Sequence, residues 1–291
     1  MPRIVFAGCG FLGEAAALLF LKSGWDVTGL THRQESADAL RIRGIPADVI
    51  DLTDSDSVQN VADLLGPADV VVHAASSGRG GEDAYRSVYR DGMAHLAEAF
   101  PNAFLIFTGS TSVYAQVTSE AVSEDSPTQP DRNTGKILLE AENIALLQNG
   151  AVARLAGIYG PGRSVLLRKF LDGTACIEGD GQRIINQIHR DDAASALLAL
   201  AVSGSPGIHN IVDDGPASQI TVYQWIADAL GRPLPPSGER DLNRKRGWTS
   251  KRVSNARMRS LGWEPGFPTY QTALPALIAA AEATAQQSQQ Q

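Results

Sequence analysis

The chain has 291 residues, enough for one large domain or two smaller ones, and 43% of them are hydrophobic, so it can bury a full core. A net charge of −7 argues against a nucleic-acid surface, and two cysteines, Cys9 and Cys176, exclude a disulfide framework or a cysteine metal cluster. The N-terminus runs straight into a strand and no apolar run nears the length of a membrane span, so no leader and no membrane contact are expected and a cytoplasmic protein is the default.

The first half alternates strands and helices. Strands are expected at Arg3–Ala7, Asp26–Leu30, Val70–Ala74, Phe104–Thr108 and Ala151–Leu155, all short Val/Ile/Leu/Phe runs of the kind buried on both faces of a parallel sheet. Helices are expected at Gly13–Ser23, Ser36–Ile42, Ser55–Leu65, Tyr85–Ala99 and Thr134–Gln148, with Gly24 and Gly150 where C-caps belong. Pro46–Ile50 is a short extended segment. The alternation predicts an α/β fold, a Rossmann-like doubly wound parallel sheet. After Gly160-Pro161-Gly162 the pattern loosens. Strands at Ile184–Ile188 and Gly207–Val212 flank a helix at Asp191–Val202, and a helix at Thr221–Leu230 has Ser218 or Thr221 as its N-cap. Pro233–Gly238 reads as a loop and the basic run Arg240–Arg252 as a loop or surface segment. Thr284–Gln291 reads as a disordered Gln-rich tail.

The first strand ends in Gly8-Cys9-Gly10-Phe11-Leu12-Gly13. Gly8 permits a tight turn, Gly10 lets backbone approach a pyrophosphate, and Gly13 lets the helix pack close to the strand. The helix N-terminus then offers unpaired N–H groups to phosphates. A dinucleotide site is therefore expected, and the tip of the second strand bears on which one. It carries no acid but reads Thr31-His32-Arg33. Thr31 can bond a phosphate and Arg33 can pair bidentately with a 2′-phosphate, which favours NADP over NAD. The competing reading leaves His32 and Arg33 as solvated loop residues. Asp51, followed by Leu52, either reaches the adenine amino group or caps helix Ser55–Leu65.

Six motifs run in the order found in the extended short-chain dehydrogenase/reductase family, the NAD-dependent epimerase/dehydratase type, which the chain resembles. They are Gly10–Gly13, Asp51-Leu52-Thr53, Val71-Val72-His73-Ala74-Ala75, Ser110-Thr111-Ser112-Val113-Tyr114, Arg154–Gly162 and Ile188–Asp192. The Ser-Thr-Ser-Val-Tyr, Arg-Leu-Ala-Gly and Gly-Pro-Gly-Arg elements resemble those of its atypical YeeZ-type NADP-binding group. The resemblance implies a dinucleotide domain from 1–162 plus 188–212 and a smaller C-terminal substrate-binding region from 163–187 plus 213–277. It implies that Ala74 and Ala75 line the cofactor channel and that Lys136 bonds the nicotinamide ribose. It also implies a homodimer through Tyr85–Ala99 and Thr134–Gln148.

The family's catalytic set is a Ser, a Tyr and a Lys four residues after that Tyr. Ser110 and Lys136 match, with Glu140 one turn later, but the position four before Lys136 is Arg132. Arginine stays protonated and cannot replace a phenolate. Three readings stay open. Tyr114 takes over as proton donor, Arg132 and Lys136 act as electrostatic stabilisers, or the site does no redox chemistry. His73 is expected in the core. His189, Asp191 and Asp192 are expected to play a structural part, one Asp capping the next helix, with no metal. Arg79, Arg163 and Arg252 are candidates for meeting a small anionic substrate. The chain is thus expected to be an NADP-dependent oxidoreductase or epimerase/dehydratase-type enzyme, the alternative being a non-catalytic NADP(H) redox sensor.

Overall fold

The computed structural model describes residues 1–78, 80–241 and 247–289, the last six by backbone alone. Seven parallel strands form its central sheet in the order Gly207–Ile211, Ala151–Leu155, Phe104–Ser110, Val70–His73, Arg3–Ala7, Asp26–Thr31, Ala47–Val49. The registers Ala7↔Leu30 and Ala7↔His73 align three strand ends at one edge. The chain leaves Arg3–Ala7 toward one side, returns, and continues from Val70–His73 toward the other. That reversal opens a crevice at the carboxyl ends of these two strands, where doubly wound sheets bind ligands.

One apolar cluster on the sheet centres on Phe6, Phe20 and Leu197 and a second on Val5, Leu96 and Phe107. Both faces are therefore covered, which is why the strands lack polar alternation. The five helices of the first half fall where the pattern placed them, within a few residues. Gly24 (φ 82) follows the first helix as expected. After helix Asn133–Leu147 the left-handed residue is Asn149 (φ 57) and not Gly150. Gly150 answers a steric demand instead, since a Cβ there would lie 2.5 Å from the Leu105 carbonyl oxygen. The expected helix at Tyr85–Ala99 begins at Glu82 and contains a π-helical stretch, Arg86–Asp91.

The second half departs more from expectation. Ile184–Ile188 is two strands. Ile184–Ile185 pairs antiparallel with Ala217–Ser218, and Gln187–His189 pairs parallel with Gly157–Tyr159. Helices Val165–Leu171, Gln219–Leu230 and Tyr270–Gln289 enclose a third apolar cluster around Tyr159, Phe170, Tyr223 and Tyr270. Ser218 is the N-cap of Gln219–Leu230, accepting from the Thr221 N–H at 3.3 Å. The last helix runs on to Gln289, so backbone read as disordered tail is helical over residues 284–289; its Ala/Gln composition suits a helix. Arg252–Val253 pairs parallel with Ala121–Val122 in a separate two-stranded sheet that takes in the end of the basic run. No described helix is long and apolar enough to cross a membrane.

Candidate functional site

The glycine loop has the geometry a pyrophosphate requires. Gly8 (φ +100) presses against Ala74 and Ala75, and a Cβ there would lie 2.2 Å from the Ala75 nitrogen. A Cβ on Gly13 would lie 2.6 Å from the Gly8 carbonyl oxygen, whereas Gly10 faces open space with nothing within 4 Å. Helix Phe11–Lys22 has no side-chain cap, so the first-turn N–H groups of Phe11, Leu12 and Gly13 are left for a ligand beside Gly10. Arg163 and Arg190 stack over the Phe11 ring at 5.0 and 5.4 Å. Arg163, read as a substrate contact, thus stands at the glycine loop. Burial, and then Glu14, push the Cys9 thiol up to about 12, so it is an unreactive packing group.

At the tip of the second strand, His32 and Arg33 are exposed and Arg33 holds the N-cap position of helix Gln34–Ile42. The Arg33 guanidinium has no protein partner among the described residues, which suits it to an external phosphate. Thr31 does not fit the phosphate-donor reading, because its hydroxyl already donates to the Arg33 carbonyl at 3.0 Å and holds the turn. Asp51 is half-buried and accepts from both the N–H and the hydroxyl of Thr53, at 2.9 and 2.7 Å; these bonds hold its carboxyl below the usual range. Asp51 is not the helix cap, since Asp54 fills that place for Ser55–Leu65. Leu52 is buried, and its carbonyl meets His95 Nδ1 at 2.9 Å.

The strand Phe104–Ser110 delivers Ser110 to the carboxyl edge, where its Oγ accepts from the Ser112 N–H at 3.2 Å. Lys136 is exposed on helix Asn133–Leu147 without a partner among the described residues. Arg132 sits one turn earlier, at the N-cap position. It lines a small recess with Ser112, Gly247 and Thr249, which also border the larger cleft described below. Glu140 faces outward and pairs with Arg86 at 3.0 Å.

Tyr114 does not reach this space. It is fully buried; its hydroxyl donates to Asn210 Oδ1 at 2.9 Å and accepts from Arg154 at 2.9 Å. Burial pushes its phenol up, against the pull of Arg154. The expectation of Tyr114 as proton donor is therefore corrected, because a phenol sealed in the core with both bonding directions used cannot exchange a proton with a ligand. It belongs to a structural centre in which Arg154 forks onto Glu142 at 2.6–3.1 Å. Burial opposes the Arg154 charge, but its bonds to Glu142 outweigh it and hold the guanidinium above its ordinary value.

A cleft of about 350 Å³ opens beside Ser110, lined by Ser112, Tyr159, Arg183, Asn186, Gln187 and Lys251, among others. Two of its cations escaped the sequence reading. Lys251 is buried while its neighbour Arg252 is exposed, and Arg252 binds the Ser119 carbonyl at 2.5 Å outside the cleft. Arg252 therefore does not line the cleft, because side chains alternate sides along extended backbone. The signal available in advance was that Lys251 shares its side of the extended backbone with the apolar Val253, two residues on. Arg79 lies outside the described residues, as do positions 242–246 of the basic run.

The remaining histidine and acid candidates are structural. His73 Nε2–H donates to the Val88 carbonyl within the π-helical stretch at 2.8 Å. His189, and not an aspartate, caps the next helix, its Nδ1 accepting from the Asp191 N–H. Asp192 accepts from the N–H groups of Gly266 and Phe267 at 2.8 and 2.9 Å, tying down the C-terminal region. No group of residues able to hold a metal occurs among the described residues.

Residues 4–212 match the model of the NAD dependent epimerase/dehydratase family. The chain is 30% identical to Protein YeeZ of Escherichia coli (strain K12) over 281 residues, 92% of this chain and 97% of that one. It is 27% identical to a 3-diazoavenalumate denitrifying reductase of Streptomyces over 311 residues, 94% and 99% of the two chains. Among solved structures, the Bordetella bronchiseptica enzyme WbmG in complex with NAD aligns with a TM-score of 0.82 at 17% identity, over 97% of this chain and 94% of that one.

Proposed function

The chain belongs to the NAD dependent epimerase/dehydratase family, within the extended short-chain dehydrogenases/reductases, and from that premise we propose that it is an NADP-dependent oxidoreductase or epimerase/dehydratase-type enzyme. The observation that carries this reading is the pairing, at one sheet edge, of an uncapped glycine-loop helix with a substrate-sized cleft that begins at Ser110. Bound there, the nicotinamide dinucleotide supplies a hydride donor or acceptor. WbmG was solved with NAD; the unpaired Arg33 and the lack of an acid at the second strand's tip favour NADP here.

In this reading the first-turn N–H groups hold the pyrophosphate, Arg33 the 2′-phosphate and Lys136 the ribose. Ser110 orients the substrate oxygen. With Tyr114 sealed away, Arg132 and Lys136, one helical turn apart, stabilise negative charge developing on that oxygen. Assembly as a homodimer and a cytoplasmic location belong to the same proposal.

The test is calorimetric binding of NADPH, NADP⁺, NADH and NAD⁺ to the purified protein. NADPH and NADP⁺ are expected to bind with similar affinity, and Arg33→Ser is expected to weaken both at least about tenfold while leaving NADH unchanged. Because Arg132 stands where the family's Tyr is expected and Tyr114 is sealed in the core, a redox sensor is the competing reading. A large preference for one redox state would favour it, since only unequal binding shifts an equilibrium. Absence of dinucleotide binding would refute both.

A further inference from the structure

Among the described residues, the cleft beside Ser110 holds two positive charges and no matching negative one. The Lys251 Nζ donates to the Tyr114 carbonyl at 2.6 Å and to the Thr249 hydroxyl at 3.0 Å. Arg183 donates through Nε to the Thr249 carbonyl at 3.2 Å. All three acceptors are neutral, and among the described residues neither cation has a carboxylate partner. The groups facing the pair are few. Arg183 lies within electrostatic reach of both Lys251 and the Tyr223 phenol; the Tyr159 phenol lines the same cleft; and the Tyr114 phenol, bonded to Arg154, lies behind the carbonyl that Lys251 binds. Burial lowers the Lys251 ammonium to about 7, with the Arg183 charge adding to the effect. Burial also lowers Arg183. A buried Lys251 and a half-buried Arg183 side by side, without a counter-ion among the described residues, are costly, and perturbed charges lining a cleft are characteristic of ligand sites. The cleft's volume of about 350 Å³ is at the compact end for small-molecule sites.

We propose that Lys251 and Arg183 form the subsite that receives the substrate's anionic group, a carboxylate or a phosphate, in the same compact cleft as the Ser110 hydroxyl. The substrate is then a small acid whose charge lies near its reacting oxygen. This deepens the reading of the cleft as a substrate site and rests on it. An anion bridging the two cations holds Lys251 protonated, so binding above neutral pH takes up a proton. The neighbouring groups do not share in this uptake, since burial keeps the Tyr114, Tyr159 and Tyr223 phenols neutral there and the guanidinium stays charged.

Oxalate, inorganic phosphate and UDP titrated into the full-length protein by calorimetry test the proposal, in buffers of different ionisation heat at about pH 6.5 and 8.5. Oxalate, a dianion at both pH values, is expected to bind at least about tenfold more weakly at the higher one, where binding takes up a proton, and phosphate is compared with it at about pH 8.5. The tighter of the two tells a carboxylate from a phosphate. Lys251→Met is expected to lose at least about tenfold in affinity together with the proton uptake. Lys251→Arg keeps the binding without the uptake, and Arg183→Gln weakens binding while preserving the uptake. Binding unchanged in Lys251→Met, no binding of either small anion at millimolar concentration, or a preference for UDP overturns the subsite. NADPH binding, measured on the same samples, shows that each variant is folded. If NADPH binds and the small anions do not, the subsite alone fails; if NADPH does not bind to the parent protein, the enzyme reading fails first.

Discussion

Arg154 and Lys251 are both buried cations, each only 3% exposed, yet they are buried in opposite ways. Arg154 has a carboxylate on its fork and a phenol on a third nitrogen. Lys251 has two neutral acceptors, a second cation beside it and an opening onto a cleft. A buried charge whose partners are all supplied by the chain is part of the scaffold, because removing any partner leaves a desolvated ion. A buried charge that the chain leaves unmatched marks a place where the missing partner comes from outside.

Each case predicts a mutational response of its own. The largest effect is expected from Arg154→Met, which leaves Glu142 as an unpaired carboxylate in the core and should cost about 3–5 kcal/mol in urea unfolding. Adding Glu142→Leu to that variant should restore much of the loss, since an apolar pair of similar volume is often tolerated. If the single variant is as stable as the parent, the Arg154 centre is not the scaffold described here.

Asp213 offers an intermediate case. It is buried, accepts only the Gly215 N–H from one oxygen, and has no partner on the other. Burial is the main reason its carboxyl is raised to about 8, with Asp214 and Asp192 adding to it. The folded state therefore binds a proton that the unfolded state releases between about pH 4 and 8, and stability falls as pH rises through that window. Asp213→Asn should match the parent near pH 4 and become steadily the more stable of the two as pH rises toward 8, read from thermal unfolding across pH. A constant difference at all pH values would contradict this account.

Lys251→Met should stabilise the protein by a smaller amount, about 1 kcal/mol, because Lys251 keeps two hydrogen bonds that the methionine lacks. The sign with pH is opposite to that of Asp213. Its folded value of about 7 lies below the ordinary lysine value, so the unfolded state binds the extra proton and parent stability rises from about pH 7 upward. The advantage of Lys251→Met should be full below pH 7 and fade above it. The smallest stability effect is expected at the exposed, unpaired Lys136, where Lys136→Ala should change stability by less than about 0.5 kcal/mol. The same change should weaken NADPH binding, and intact binding would remove Lys136 from the cofactor site.

Local chemistry made the frame of this protein legible from its sequence. Apolar runs of four to seven residues, helical periodicity between them and Gly8, Gly10 and Gly13 at the end of the first strand were enough to place the parallel sheet and its ligand edge. Ser218 as a helix cap is legible for the same reason, since a cap depends on neighbours three residues away. The tertiary structure decided what depends on partners distant in the chain. Tyr114 follows Ser110 by four positions and looks available, but Arg154 and Asn210, 40 and 96 positions away, enclose it. Lys251 looks like one more charge in a basic run, but its bond to the Tyr114 carbonyl, 137 positions away, turns it into the cleft. Periodicity and turn chemistry act over a few residues, whereas the burial of a charge and the identity of its counter-ion are set by whichever segments the fold brings together.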